Sequence, residues 1–208
     1  MRAVVLVCSA LLSVQVSHAQ PAVSPIADGT ITMDCGQGVF ELFAPAYSLL
    51  FGGPSNNRSV LVFDKQQLPT SPSVVLLQLA ALTSAAPAKE FQIIATPSSR
   101  ANVSNGEWAD DLDTLVYAGW YLIPDGGGDT VILQFDVTSA VTALMGREER
   151  YIHLKLTAPH SFLGGGSRYY GAFRPRSDPE VGNRPRLVFG GEVNSQATSL
   201  GSTKALFR

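Results

Sequence analysis

Val131–Gly146, VILQFDVTSAVTALMG, changes its period half-way, and that change decides how the chain is built. Val131, Leu133 and Phe135 alternate with Ile132, Gln134 and Asp136, the period of two expected of a strand with one face more buried than the other. From Val137 the apolar positions become Ala140, Val141, Leu144 and Met145, three and four apart, as along one face of a helix. Thr138 or Ser139 can cap that helix and Gly146 can end it. A strand therefore feeds one short helical segment over residues 138–145.

Outward from this segment the chain reads as short apolar runs parted by turns. Gly38–Phe43, Arg58–Asp64, Val74–Leu82, Glu90–Ala95 and Leu115–Ile123 precede it, and Tyr151–Leu156, Tyr169–Phe173 and Arg186–Phe189 follow. With Val131–Asp136 this makes about nine strands, parted by turn chemistry such as Gly52-Gly53-Pro54 and Asn56-Asn57. Nineteen glycines, thirteen prolines and the lack of long amphipathic patterns give an all-β, two-sheet sandwich as the predicted fold. Val74–Leu82 is apolar enough to be buried on both faces. Tyr151–Leu156 alternates most regularly, so Ile152, Leu154 and Leu156 are predicted to face the core and Tyr151, His153 and Lys155 to face outward.

FDVTSAVTALMG resembles the aromatic, Asp, Val, Thr, Val signature of the disaggregatase-related (DNRLRE) domains. Leu61-Val62-Phe63-Asp64, the turn at Leu68-Pro69 and the run Val74–Leu82 are similar to an earlier segment of that family, and Asn183-Arg184-Pro185-Arg186-Leu187-Val188-Phe189 to its closing strand. The resemblance implies a jelly-roll-like sandwich that starts near Ile26, with Trp108 as a structural residue. Some members of the family are carbohydrate-binding modules, which implies binding of an extracellular polysaccharide.

A chain of 208 residues suits one domain. Arg2, the apolar run Ala3–Leu12 and the small residues of Ser17-His18-Ala19 predict a signal peptide over 1–19, cleaved after Ala19. A linker over 20–25, the sandwich over 26–190 and a disordered tail over 191–208, rich in Ser, Gly, Thr and Ala, are expected to follow. The apolar run is too short to span a bilayer, so a secreted or extracellular protein is expected, periplasmic or at the cell surface in a bacterium. Loss of the leader removes Arg2 and no acid, so the formal charge of −2 becomes −3, which gives no general attraction to nucleic acid. It also leaves Cys35 as the single cysteine, which rules out an internal disulfide or a cysteine zinc site in the cleaved chain.

No Gly-x-Ser-x-Gly elbow, phosphate-binding loop or HExxH is present, and beyond the leader only His153 and His160 could serve as bases. Tyr151-Ile152-His153 is similar to the histidine strand of jelly-roll polysaccharide lyases. Glycoside hydrolysis needs two carboxyl groups at a set distance, which a sequence does not display. A binding role needs less: aromatic faces for sugar rings and polar groups for hydroxyls or carboxylates. The candidates are Tyr151, His153 and Lys155, then Arg168, Tyr169, Tyr170, Arg174 and Arg176, and Trp120, whose neighbour Tyr121 must face the other way on a regular strand. The clustered arginines favour an anionic glycan, because guanidinium matches carboxylate in two parallel hydrogen bonds. Their structural role would be to pair with Asp178 and Glu180 and hold the closing strand. No cofactor is expected; a structural calcium ion would find oxygen ligands in Asp110, Asp111 and Asp113, or in Asp125 and Asp129. Asn57-Arg58-Ser59 and Asn102-Val103-Ser104 are glycosylation sequons in a eukaryotic host.

The expected function is that of a secreted, non-catalytic, carbohydrate-binding-module-like protein that takes a polysaccharide, with an anionic one favoured. A structural or adhesive protein of the cell surface or matrix is the alternative, and a jelly-roll polysaccharide lyase the third.

Overall fold

The computed structural model describes residues 21–34, 39–52, 56–82, 89–108, 114–123, 130–158 and 171–190. The expected leader and tail, Cys35, His160, Arg168, Tyr169, Tyr170 and Asp110, Asp111, Asp113, Asp125 and Asp129 lie outside these residues. The fold is an all-β sandwich of two antiparallel sheets with one α-helix.

The first sheet runs in the order β3 (Val39–Phe43), β2 (Ala27–Asp34), β5 (Arg58–Asp64), β10 (Tyr151–Thr157), β7 (Lys89–Ser98) and β8 (Val116–Ile123). The second is built around β6 (Val75–Leu82). Along one side of β6 lies β9 (Thr130–Asp136); along the other lie β12 (Arg186–Phe189) and, at Ala81, β11 (Gly171–Phe173). Beyond these, β1 (Ala22–Val23) pairs with β12 and β4 (Leu49–Phe51) with β11. The chain crosses between the sheets from β4 through β5 and β6 to β7, and again from β8 through β9 and β10 to β11, a jelly-roll-like alternation.

The period-two positions explain the core. Leu61 and Phe63, Phe91, Ile93 and Ala95, and Ile152, Leu154 and Leu156 of the first sheet meet Leu77, Leu79, Leu133, Phe135 and Phe173 of the second. The rings of Phe51, Phe91, Tyr121, Phe135 and Phe173 pack with centroids 5.0–6.1 Å apart, several edge to face. As expected, β6 is buried on both faces, with every residue from Val75 to Ala81 enclosed.

The switch of period after Asp136 is seen directly. Thr138–Met145 forms α1, which buries Ala140, Val141 and Leu144 and touches β6 of one sheet and β7 and β8 of the other, so it closes the gap between them. The expected cap is corrected: Val137 occupies the N-cap position and its side chain makes no capping bond. Instead the Asp136 carboxylate accepts from the Thr138 N–H at 2.9 Å, and Thr138 Oγ1 accepts from the Val75 N–H at 2.9 Å, tying α1 to β6. At the other end Lys65 Nζ donates to the carbonyls of Leu144 and Arg147, a cation on the carbonyl end of the helix dipole.

Three further expectations are corrected. The linker over 20–25 contains β1, which pairs Ala22 with Val188 and Val23 with Leu187, because β12 would otherwise offer a bare edge. The strand count is twelve among the described residues, since β1, β2 and β4 are additional to the runs read as strands. Asn57 is not an open glycosylation acceptor: it is buried, its Nδ2 donating to the Gly52 carbonyl at 2.8 Å and its Oδ1 accepting from Thr32 at 2.8 Å.

Candidate functional site

Pairing within the first sheet sorts its outward side chains into rows, because directly opposed residues in antiparallel strands share a face. Arg58, Thr157, Gln92 and Trp120 form one row across β5, β10, β7 and β8; Val60, Lys155, Ile94 and Tyr117 form the next, and Val62, His153 and Thr96 the third. Tyr151, His153 and Lys155 therefore do stand opposite the core-facing Ile152, Leu154 and Leu156. Their exposure is corrected, however. His153 is fully buried and Lys155 only 2 % exposed, while Tyr151 is half-buried against a second cluster of Ile31, Val60, Val62 and Val103.

The cover is the segment after β7. Val103 seals the apolar half of the face over β2 and β5, and a 3-10 turn at Asn105–Trp108 brings Glu107 over the polar half. The Arg100 carbonyl can only accept, so the 2.8 Å contact with His153 Nε2 places a proton on that nitrogen. Nδ1 of the same ring lies 3.1 Å from Glu107 Oε1, without the alignment of a hydrogen bond, and this contact is attractive when the ring is cationic. Lys155 Nζ lies 3.4 Å from Glu107 Oε2. Burial pushes the Glu107 carboxyl up, but the His153 and Lys155 contacts outweigh it and hold it below the ordinary carboxylate range.

Beside this cluster, between the ends of β7 and β10, opens a cleft of about 330 Å³. The hydroxyl residues Thr96, Ser98, Ser99 and Thr114 line it, together with the charged Glu107, Lys155 and Glu149. Glu149 Oε2 is buried with no hydrogen-bond partner.

Two aromatic side chains on the same outward face as Lys155 are placed by an irregularity in β8. In a regular strand Tyr117 and Trp120, three residues apart, would face opposite sides. Ile93 pairs with Gly119 but Ile94 with Tyr117, so Ala118 is an extra residue and both aromatics face outward. Gly119 has φ +157°, and a Cβ there would lie 3.1 Å from the Tyr121 ring, so the bulge calls for glycine. Tyr121 turns inward as expected, its hydroxyl bonded to the carbonyl of Asp136, and burial pushes that hydroxyl's pKa well up. Trp120 is half-buried and Tyr117 is 53 % exposed.

Arg174 and Arg176 do not share this face. They follow β11 of the second sheet, where Arg174 Nε lies 3.6 Å from Asp178 Oδ2 and the Arg176 N–H donates to Asp28 Oδ2 at 2.8 Å. Arg184 Nε donates to the Asp178 carbonyl at 2.7 Å, so Arg174 and Arg184 hold the closing segment around Asp178, the structural role set out for them. Among the described residues no group of three or more His, Cys, Asp or Glu side chains is placed to hold a metal ion.

Sequence reasoning did not single out Glu107 as the partner of His153, nor Glu149, Thr114 or Tyr117. Glu107 carried a faint signal as the first acid after a polar loop. Tyr117 carried none, since the bulge that turns it outward leaves only a glycine in the sequence. No helix among the described residues is long and apolar enough to cross a membrane. No protein family matches the chain, and a search of curated proteins finds no relative of it.

Proposed function

We propose that the protein is a secreted, non-catalytic carbohydrate-binding protein, of the kind its resemblance to the disaggregatase-related domains implies. The observation that carries this reading is the shared outward face of Tyr117, Trp120 and the hydroxyl-lined cleft. Aromatic rings cover the C–H faces of a pyranose, and hydroxyl and carboxylate groups bond its rim. At about 330 Å³ the cleft is at the small end of ligand sites, suited to one end or one branch of a glycan.

Two features support binding without chemistry. A glycosidase acid needs a carboxyl group with a raised pKa, whereas Glu107 is held low by its contacts with His153 and Lys155. A lyase base must reach the substrate, and His153 is fully enclosed with Nε2 committed to the Arg100 carbonyl.

Affinity electrophoresis in gels containing neutral, amino or uronate polysaccharides tests the reading. Retardation is expected in at least one gel, and Tyr117→Ala or Trp120→Ala should each weaken it by about 1–2 kcal/mol, roughly 5- to 30-fold. Free migration in every gel would remove the proposal.

A further inference from the structure

One buried acceptor of the cleft is left without a donor, and this assigns its ligand a chemistry. Its charged lining consists of Glu107, Glu149 and Lys155. Glu107 already has nitrogen at both carboxylate oxygens, His153 Nδ1 at 3.1 Å and Lys155 Nζ at 3.4 Å. Glu149 is different: its buried Oε2 has no hydrogen-bond partner, a state that native structures rarely leave without a role. A carboxylate oxygen accepts, so the group that completes it must bring an O–H or N–H. A uronate would bring a second carboxylate to a partly desolvated one, and like charges at that range repel strongly. Of the cations that could offset it, the guanidinium groups of Arg174 and Arg184 are engaged around Asp178 and that of Arg150 on Asp64 at 2.7 Å, and the Lys155 ammonium of the lining already faces Glu107 at 3.4 Å.

Resting on the carbohydrate reading, we propose that Glu149 is the specificity-determining acceptor of the cleft: it takes the hydroxyl or ammonium donors of a neutral or amino sugar and turns away uronates. The shared chemistry is a donor-bearing sugar edge, and ligands of different charge separate its two sources.

Calorimetric titration of the full chain with chitosan, cello- and galacturonate tetrasaccharides tests this. The first two should bind, the amino sugar more tightly if the donor is ammonium and equally if it is hydroxyl, and the galacturonate at least about tenfold more weakly than either. Glu149→Gln supplies an amide donor and removes the charge, so it should shrink the gap between chitosan and galacturonate about tenfold. Glu148→Gln, at the exposed neighbouring position, should leave the gap intact. The wild-type ranking needs no variant: galacturonate binding as tightly as the other two overturns the inference. An unchanged gap in Glu149→Gln overturns the role of Glu149 while the carbohydrate reading stands. No binding of any tetrasaccharide removes both.

Discussion

Replacing Glu107 by Gln keeps the size of the side chain and one acceptor oxygen but removes the charge that faces His153 and Lys155. Both partners are enclosed, His153 fully and Lys155 to within 2 %. Taking away one member of a buried ion pair costs about 3–5 kcal/mol, because the charge that stays behind has lost water and that carboxylate. The Glu107 side chain keeps 12 % of its exposure and Gln retains hydrogen-bonding capacity, so the low end, about 3 kcal/mol, is expected. For a domain of this size that is a fall in Tm of roughly 6–12 °C. Urea unfolding of Glu107→Gln at pH 7 should show a lower midpoint with an unchanged slope. Glu107→Gln combined with Lys155→Met removes the ammonium along with the carboxylate and should recover part of the loss. A cost for Glu107→Gln under about 1 kcal/mol, the worth of a solvated surface pair, would refute the reasoning that this cluster is a desolvated clasp.

Acid should loosen the same clasp. Glu107 is held below its ordinary 4.5, so the unfolded chain binds more protons in that range; the stability it contributes is complete above 4.5 and is lost as the pH falls through its lower folded value. Asp64, held below its ordinary 3.8 chiefly by its hydrogen bonds with Arg150, adds a second loss at lower pH; a melting series from pH 6 to pH 2 should show the decline, and Glu107→Gln should flatten its upper part. Gly171→Ala should destabilise by about 1–3 kcal/mol in the same assay, since its Cβ would fall on the buried Phe51 ring that Phe91 and Phe173 hold in place. Gly146→Ala is its control: with φ −81°, ψ −4° and nothing within 4 Å of the added atom, it should be neutral or stabilise by up to about 1 kcal/mol. The N-terminal sequence of the exported protein should start at Gln20; an intact Met1 would remove the expectation of secretion.

How far the residues speak for themselves differs between the core and the site. The change of period after Asp136 marks β9 and α1 to within a residue, because alternation and helical spacing are properties of one segment alone. β4 escaped notice: Leu49–Phe51 is three residues long, among turn formers, and becomes a strand only by pairing with β11. In β10 the inner half of the alternation is right and the outer half is right in direction but wrong in exposure. A period of two says which side chains oppose the core, and says nothing of whether a distant segment lies over them. That segment is read late because Val103 and Glu107 are single residues in a polar loop, and each gains meaning only from the sheet beneath it. Trp120 is legible through Tyr121, its inward neighbour, while Tyr117 depends on an inserted residue that no local pattern displays.

The pairing of Ala22 with Val188 sets how the domain yields to mechanical load. β1 and β12 run antiparallel, so the incoming and outgoing ends of the sandwich leave from the same corner. Tension between those two ends would pull on that ladder like a zip, one bond at a time. The first give under strain would free two residues of chain as slack while the aromatic core and the clasped face stayed whole.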